Sequence, residues 1–232
     1  MNGGPSVSVS ASARDEILAS VRAAIGEGQA AVDVPRAYAG VSSGDHDDLV
    51  KLLVERLVDY RANVVVTDAE SVAARVAEIL AEAGAERALT ASGFPQEWTP
   101  QGVLLVQDAD SLTAAELDEI GHVITTCALA IASLGSLVFD HRADGQGRRA
   151  ITLVPDHHIC IVREDQIVAS LPDAIARLHL SVREGLPVTF VSGPSATSDI
   201  ELRRVEGVHG PRRLDVVIAR LSGQTDGRGG AG

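Results

Sequence analysis

Apolar residues along this chain keep two different spacings, and the alternation between them predicts the fold. Ile17, Leu18, Val21 and Ile25 recur at three- and four-residue intervals, which places them on one face of a helix over residues 13–25. A Gly- and Pro-containing linker over 26–44 follows, and Leu49, Leu52, Leu53, Leu57 and Val58 stripe a second helix over 47–61. From there the spacing changes. Short apolar runs predict strands at 63–67, 87–91, 102–107, 123–126, 136–139, 151–154, 159–162, 188–191 and 214–218, with Pro155 breaking the run between two of them. Helical patterns over 71–83, 114–120, 171–180 and 199–205, and a helical turn over 127–133, separate many of the strands. Such alternation argues for an α/β layered domain with a largely parallel sheet, whose ligands lie beyond the carboxyl ends of the strands. One domain over 45–221 accounts for it, preceded by a tail, helix and linker over 1–44. The Gly- and Ser-rich start and the segment 222–232 have the composition of disordered tails.

Composition narrows the picture. Hydrophobic residues make up 45% of the 232, but aromatics only 3%, so the core is built from Val, Leu, Ile and Ala. The formal charge of -12 repels the phosphate backbone over most of the surface, which argues against a nucleic-acid partner. The most apolar stretch, 127–139, is short of the roughly 20 residues that a membrane span needs. No basic residue precedes Arg14, unlike a secretory signal, and a cytoplasmic location is expected. Cys127 and Cys160 are too few and too far apart in sequence to hold a zinc ion or an iron–sulfur cluster alone, and read as buried free thiols.

Polar residues crowd at one place in particular. Val191 to Glu201 reads Val-Ser-Gly-Pro-Ser-Ala-Thr-Ser-Asp-Ile-Glu, and Gly207-Val208-His209-Gly210-Pro211 follows. Ser192 to Ser195 form a tight turn; Thr197 or Ser198 then caps a helix starting near Asp199, with Asp199 and Glu201 in its first turn. Free N–H groups at such a helix start favour an anion. His209, set between glycines and before Pro211, is a candidate acid, base or anion contact, or merely a turn histidine. Asp156-His157-His158 and Cys160 offer metal-ligand types, yet neighbouring strand residues face opposite ways, so the simpler expectation is one exposed and one hydrogen-bonded histidine and no metal site. Ser133-Leu134-Gly135-Ser136 is a second small-residue turn, suited to close packing or to a ligand approaching the backbone. Arg142, Arg148 and Arg149 flank Gly145 and Gly147 in what reads as a solvated, basic hairpin tip or a lid.

Three of these segments resemble the lactate-utilization protein C family, whose shared module is the LUD domain. They are Ala130 to Val138, Leu153 to Cys160, and Gly193 to Glu201 with Gly207 to Pro211, within a resemblance spanning roughly Asp45 to Arg220. The last is the most specific. The resemblance implies a three-layer α/β/α sandwich like that of the phosphosugar isomerases and CoA transferases. It implies a part in oxidising L-lactate to pyruvate beside two partner proteins, one or both carrying iron–sulfur clusters, with this chain as the cluster-free accessory or ligand-binding subunit. The alternatives are a free-standing enzyme acting on a small anionic, CoA- or folate-like substrate, and a purely structural assembly factor. Members often carry Glu-Thr-Gly-Thr where this chain has Ser133-Leu134-Gly135-Ser136, so a carboxylate nucleophile is missing there. The residues expected to hold a small anionic or nucleotide-like ligand are Gly135, Ser136, His157, Ser192, Gly193, Ser195, Thr197, Asp199, His209 and Gly210, with Asp199, Glu201 and His209 as candidates for catalysis.

Overall fold

The computed structural model describes residues 12–26, 45–141, 144–197, 205–206 and 209–221. The chain divides into two units, 1–38 and 39–232. Of the first, the structure describes one helix, α1 (Ala13–Ile25), whose N-terminus is capped by the Ser12 hydroxyl accepting from the Asp15 N–H. Its apolar stripe is the one predicted, and Ile17, Val21 and Ile25 on it are exposed.

In the second unit the elements are α2 (His46–Asp59), β1 (Asn63–Asp68), α3 (Val72–Glu82), β2 (Arg87–Thr90), β3 (Leu104–Gln107), α4 (Ala114–Ile120), β4 (His122–Thr126), β5 (Leu129–Ile131), β6 (Ser136–Phe139), β7 (His157–Arg163), β8 (Ile167–Val168), α5 (Leu171–Arg183), β9 (Thr189–Val191), β10 (Ala196–Thr197), β11 (Val205–Glu206) and β12 (Arg213–Arg220). Six strands form a wholly parallel sheet in the order β1-β12-β7-β4-β2-β3. A smaller mixed sheet runs β8-β5-β6-β9, and β10 pairs antiparallel with β11.

Side-chain alternation along β7 and β12 sets the layers. Ile159, Ile161, Val217 and Ala219 face α3, which presents Val72, Val76, Ile79 and Leu80. Cys160, Val162, Val216 and Ile218 face the other way, towards Val50, Leu53 and Leu57 of α2 and towards Ala130, Leu137 and Phe139 of the small sheet. The small sheet turns Leu129, Ile131, Val138 and Val168 outward against Ala174 and Leu178 of α5. The α/β class and the mostly parallel sheet are as expected. On one face the helical layer is α2 together with the mixed sheet, and α5 lies outside that sheet.

Three expected elements differ. Residues 127–133 form β5 and a short 3-10 turn, Ala132–Leu134, instead of a helical turn, because Leu129 to Ile131 pair with β6 and β8. The run at 151–154 is no strand: Arg149–Thr152 is a 3-10 turn closed by the Ile151 N–H donating to Arg148 O, and Ile151 anchors it in the core with Ala150 and Val154 packed beside it. At 199–205 the helix is overturned at its end, since Val205 lies in a strand whose partner is Thr197. Residues 198–204, the linker 27–44, Arg142 and both expected tails lie outside the described residues.

Gly135 shows how closely these layers approach. Its φ is 59°, and a Cβ there would stand 2.6 Å from Arg56 Cβ and 3.0 Å from the Arg56 carbonyl carbon, so α2 lies directly on the turn. Gly135→Ala is therefore expected to destabilise the chain by about 2 kcal/mol. Urea unfolding checks it, and an unchanged midpoint contradicts the close approach.

Candidate functional site

The residues singled out from the sequence gather at the amino edge of the large sheet. Ser136 Oγ and Ser192 Oγ are hydrogen-bonded at 2.6 Å. Gly193 lies against Tyr60, just before β1, and the Ser195 N–H donates to Pro211 O at 2.8 Å. The His209 N–H donates to Ser195 Oγ at 3.1 Å. Gly135, Ser136, Ser192, Gly193, Ser195, His209 and Gly210 thus follow one another in a chain of contacts between the small sheet, α2 and the start of β12. Thr197 stands in the β10–β11 ribbon; Asp199 and Glu201 lie outside the described residues. His209 and Gly210 share a shallow depression of about 630 Å³ with Asp118, Arg149, Asp156 and Arg212. The helix start expected to bind an anion lies outside the described residues, and Val205, at the expected end of that helix, is in a strand.

The two histidines of β7 are both buried, contrary to the expectation of one exposed ring. They point to opposite faces. His157 Nε2 lies 2.6 Å from Asp215 Oδ2, and Arg213 Nε donates to the same oxygen at 2.6 Å. His157 Nδ1 lies 3.1 Å from His122 Nδ1. With Asp215 ionised, His157 donates to it from Nε2. Burial acts to raise the Asp215 pKa, but hydrogen bonds from His157 and Arg213 outweigh it and hold the carboxyl below its ordinary value. Burial, reinforced by the charges of His157 and Arg213, lowers His122. On the other face His158 Nε2 bonds Thr125 Oγ1 at 2.7 Å, beside the Phe139 ring, and burial followed by the charge of His157 lowers its pKa to about 3. Among the described residues no group of three or more His, Cys, Asp or Glu is arranged to hold a metal ion.

A second opening lies at the opposite, carboxyl edge. From β2 the chain moves outward to β3, whereas from β4 it passes through the small sheet and inward to β7 and β12. The connections leaving neighbouring strands β2 and β4 therefore diverge, and a crevice opens between them, the position at which α/β sheets bind ligands. It measures about 570 Å³ and is walled by Gly93, Pro95, Glu97 and Trp98 after β2, by Thr126, Cys127 and Ala128 after β4, and by Glu70, Asp144, Arg163, Gln166 and Leu221. Among its walls the notable member is Asp144. The Thr126 N–H donates to Gly145 O at 2.8 Å, Thr126 Oγ1 donates to Asp144 O at 3.1 Å, and the Gly145 N–H donates to Ser92 O at 2.9 Å. These three bonds lay the segment across the ends of β2 and β4. Gly93, at φ 72°, makes room: a Cβ there would stand 2.5 Å from Asp144 Cβ.

Within the expected basic tip Arg148 is packed, whereas Arg149 is exposed. Arg148 Nε pairs with Asp108 Oδ1 at 2.8 Å, its Nη2 donates to Leu112 O at 3.0 Å, and Gln146 is buried against Asp140. Asp144 also lines an adjoining depression with Ser92, Asp108, Asp110, His141 and Arg148. Sequence reading named neither Asp144 nor the His122–Asp215 pairings. The available signal was Asp144-Gly145-Gln146-Gly147, a carboxylate among glycines, but nothing in it says which strand ends it crosses. Cys127 and Cys160 are free, buried thiols hydrogen-bonded to each other, and that hydrogen bond together with burial pushes the Cys127 thiol up.

Two consequences are measurable. The unfolded chain protonates His158 near its ordinary value of 6.5, whereas the folded chain waits until about 3, so stability is highest above pH 6.5 and is lost as pH falls between the two. Urea unfolding at about pH 5 is expected to give about 2 kcal/mol less stability than at about pH 7.5, with a smaller difference in His158→Gln. Equal stability at both pH values contradicts a neutral, buried His158. Asp215→Ala leaves the Arg213 guanidinium and His157 without their partner, and a loss of about 3 kcal/mol is expected in the same assay; a loss under about 1 kcal/mol places no weight on the pairing.

Comparison with known proteins accords with this architecture. The family model of the LUD domain matches residues 8–219. The chain is 48% identical over 164 residues, 71% of its length and 76% of the relative's, to the lactate utilization protein C of Deinococcus radiodurans. It is 26% identical over 227 residues to the lactate utilization protein C of Halalkalibacterium halodurans, covering 88% of this chain and 96% of that one. A crystal structure of a DUF162 family protein from Deinococcus radiodurans superposes with a TM-score of 0.67 at 38% identity, covering 76% of this chain and 99% of the other. The chain belongs to the LUD domain family.

Proposed function

We propose that this chain is a ligand-binding subunit of a lactate-utilization system, acting in the cytoplasm in the oxidation of L-lactate to pyruvate beside iron–sulfur partner proteins. The observation that carries the reading is the 48% identity to a lactate utilization protein C over most of both chains. The crevice at the carboxyl ends of β2 and β4 supports a ligand-binding role, because its size and position are those of small-molecule sites in α/β sheets. The thiols support assigning the electron carriers to partners: Cys127 and Cys160 sit in the core, hydrogen-bonded to each other, and a cluster takes thiolates from about four cysteines. No helix among the described residues is long and apolar enough to cross a membrane.

A second reading, a free-standing enzyme, draws on the placement of Asp144, a carboxylate held at a switch-point crevice where acid–base chemistry is commonly carried out. Purified components separate the two: turnover by this chain alone favours the enzyme, and turnover appearing only with the iron–sulfur proteins favours the subunit. For the leading reading, deletion of the gene is expected to abolish growth on L-lactate as carbon source, with growth restored by a plasmid copy. Unimpaired growth in a host without a paralogue overturns it.

A further inference from the structure

The small sheet ends in a surface that its own helix leaves uncovered. In the antiparallel pairing of β9 with β6, Phe190 stands directly opposite Val138, and Val138 packs with Ala174 and Leu178 of α5. Directly opposed residues share a face, so the Phe190 ring lies on the α5 side. The helix lies over β5 and β8 and leaves Phe190 45% exposed. Leu171, Ile175 and Val182 recur at intervals of four and seven, which sets them in one line along α5, and they too are exposed. That line runs on the flank away from β8, because Asp173, Ala176 and Arg177 take the other flank, around a depression shared with Ile167 and Val168. Across the sheet from β8 stands β9. Four large apolar side chains thus border one shelf between α5 and β9, and among the described residues no strand pairs with the outer edge of β9.

Charge decides what such a shelf can receive. The chain carries a formal charge of -12, so two copies repel over most of their surfaces. From Gly185 to Ser198 the sequence has no charged residue, and this stretch contains β9. Arg177 is turned away, donating to Asp165 O on the β8 side. A two-fold interface sets a surface against itself, and like charges brought together there are penalised; an uncharged apolar surface escapes that penalty. A partner recognised by its charge finds none to pair with on β9.

We propose that this shelf is the self-association surface of the chain: a second copy packs on it about a two-fold axis, with Phe190 and the α5 line of each copy covering those of the other. Sedimentation equilibrium of the full chain at about 100 μM, well above the micromolar dissociation constants at the weak end of standard interfaces, tests this. The expected mass is twice the 24.2 kDa of one chain. High salt is expected to leave the dimer intact or to tighten it, since it screens the repulsion and the contact is apolar. Phe190→Asp and Ile175→Asp are each expected to weaken association at least about thirtyfold, by placing a charge in a desolvated contact. Both side chains are exposed in the single chain, so the thermal midpoint of each variant in dilute solution is expected to match that of the parent. Leu104→Asp on β3, 63% exposed at an edge of the other sheet, is expected to leave the dimer unchanged. The mass of one chain at every concentration overturns the proposal, and so does a dimer that survives both shelf substitutions, dissolves in high salt or is lost in Leu104→Asp. A monomer that binds a purified iron–sulfur partner through Phe190 overturns it too, by assigning the shelf to a different protein.

Discussion

Strands β7 and β12 are covered on both faces, and that burial governs where chemistry can reside. Parallel strands sandwiched between layers leave no solvent for a polar side chain in mid-strand, so Ile159 to Val162 and Val216 to Ala219 are apolar throughout, Cys160 included. Polar groups are pushed to the strand ends. At the amino ends stand His122, His157, His158 and Asp215, at the carboxyl ends Thr126 and Arg163.

The two ends solve different problems. At the amino edge, most buried polar groups are matched to one another, with His158 Nδ1 the exception: Asp215 between Arg213 and His157, His157 on His122, His158 Nε2 on Thr125. Such closed pairing leaves little capacity for a ligand and much for stability, because each group left alone would carry its full desolvation penalty. The glycines there, Gly135 and Gly193, serve contact with α2 and Tyr60. At the carboxyl edge the backbone of 144–145 is matched, but the carboxylates of Glu97 and Asp144 face open space. Divergence of the chain after β2 and β4 opens that space, and the 144–145 segment laid across their ends forms one of its walls.

Much of the fold was legible in local pattern. The stripes of α2 and α3 and the runs of β1, β7 and β12 follow from the periods 3.6 and 2, and those periods survive because each helix or strand must hide one face or two. Where a segment is short, local pattern was a poor guide. Leu129 to Ile131 became a strand by pairing with two neighbours, whereas Ile151 lies in a 3-10 turn and is buried by packing alone. The crowd of polar residues at 192–211 was correctly visible as unusual, yet Ser136, Ser192, Ser195 and Pro211 bond mainly to each other.

By itself, the sequence determined the α/β class, the aliphatic core, the exclusion of a thiolate-rich cluster on this chain and the family to which it belongs, because these depend on composition, period and linear motif. Strand order was decided only in three dimensions. That order sets which loops diverge, and so it placed Asp144, far in sequence from Gly93 and Thr126, across the ends of β2 and β4, and brought His122, His157 and Asp215 side by side. Residues remote along the chain acquire a shared chemistry through pairing and packing, and no local pattern encodes the partner.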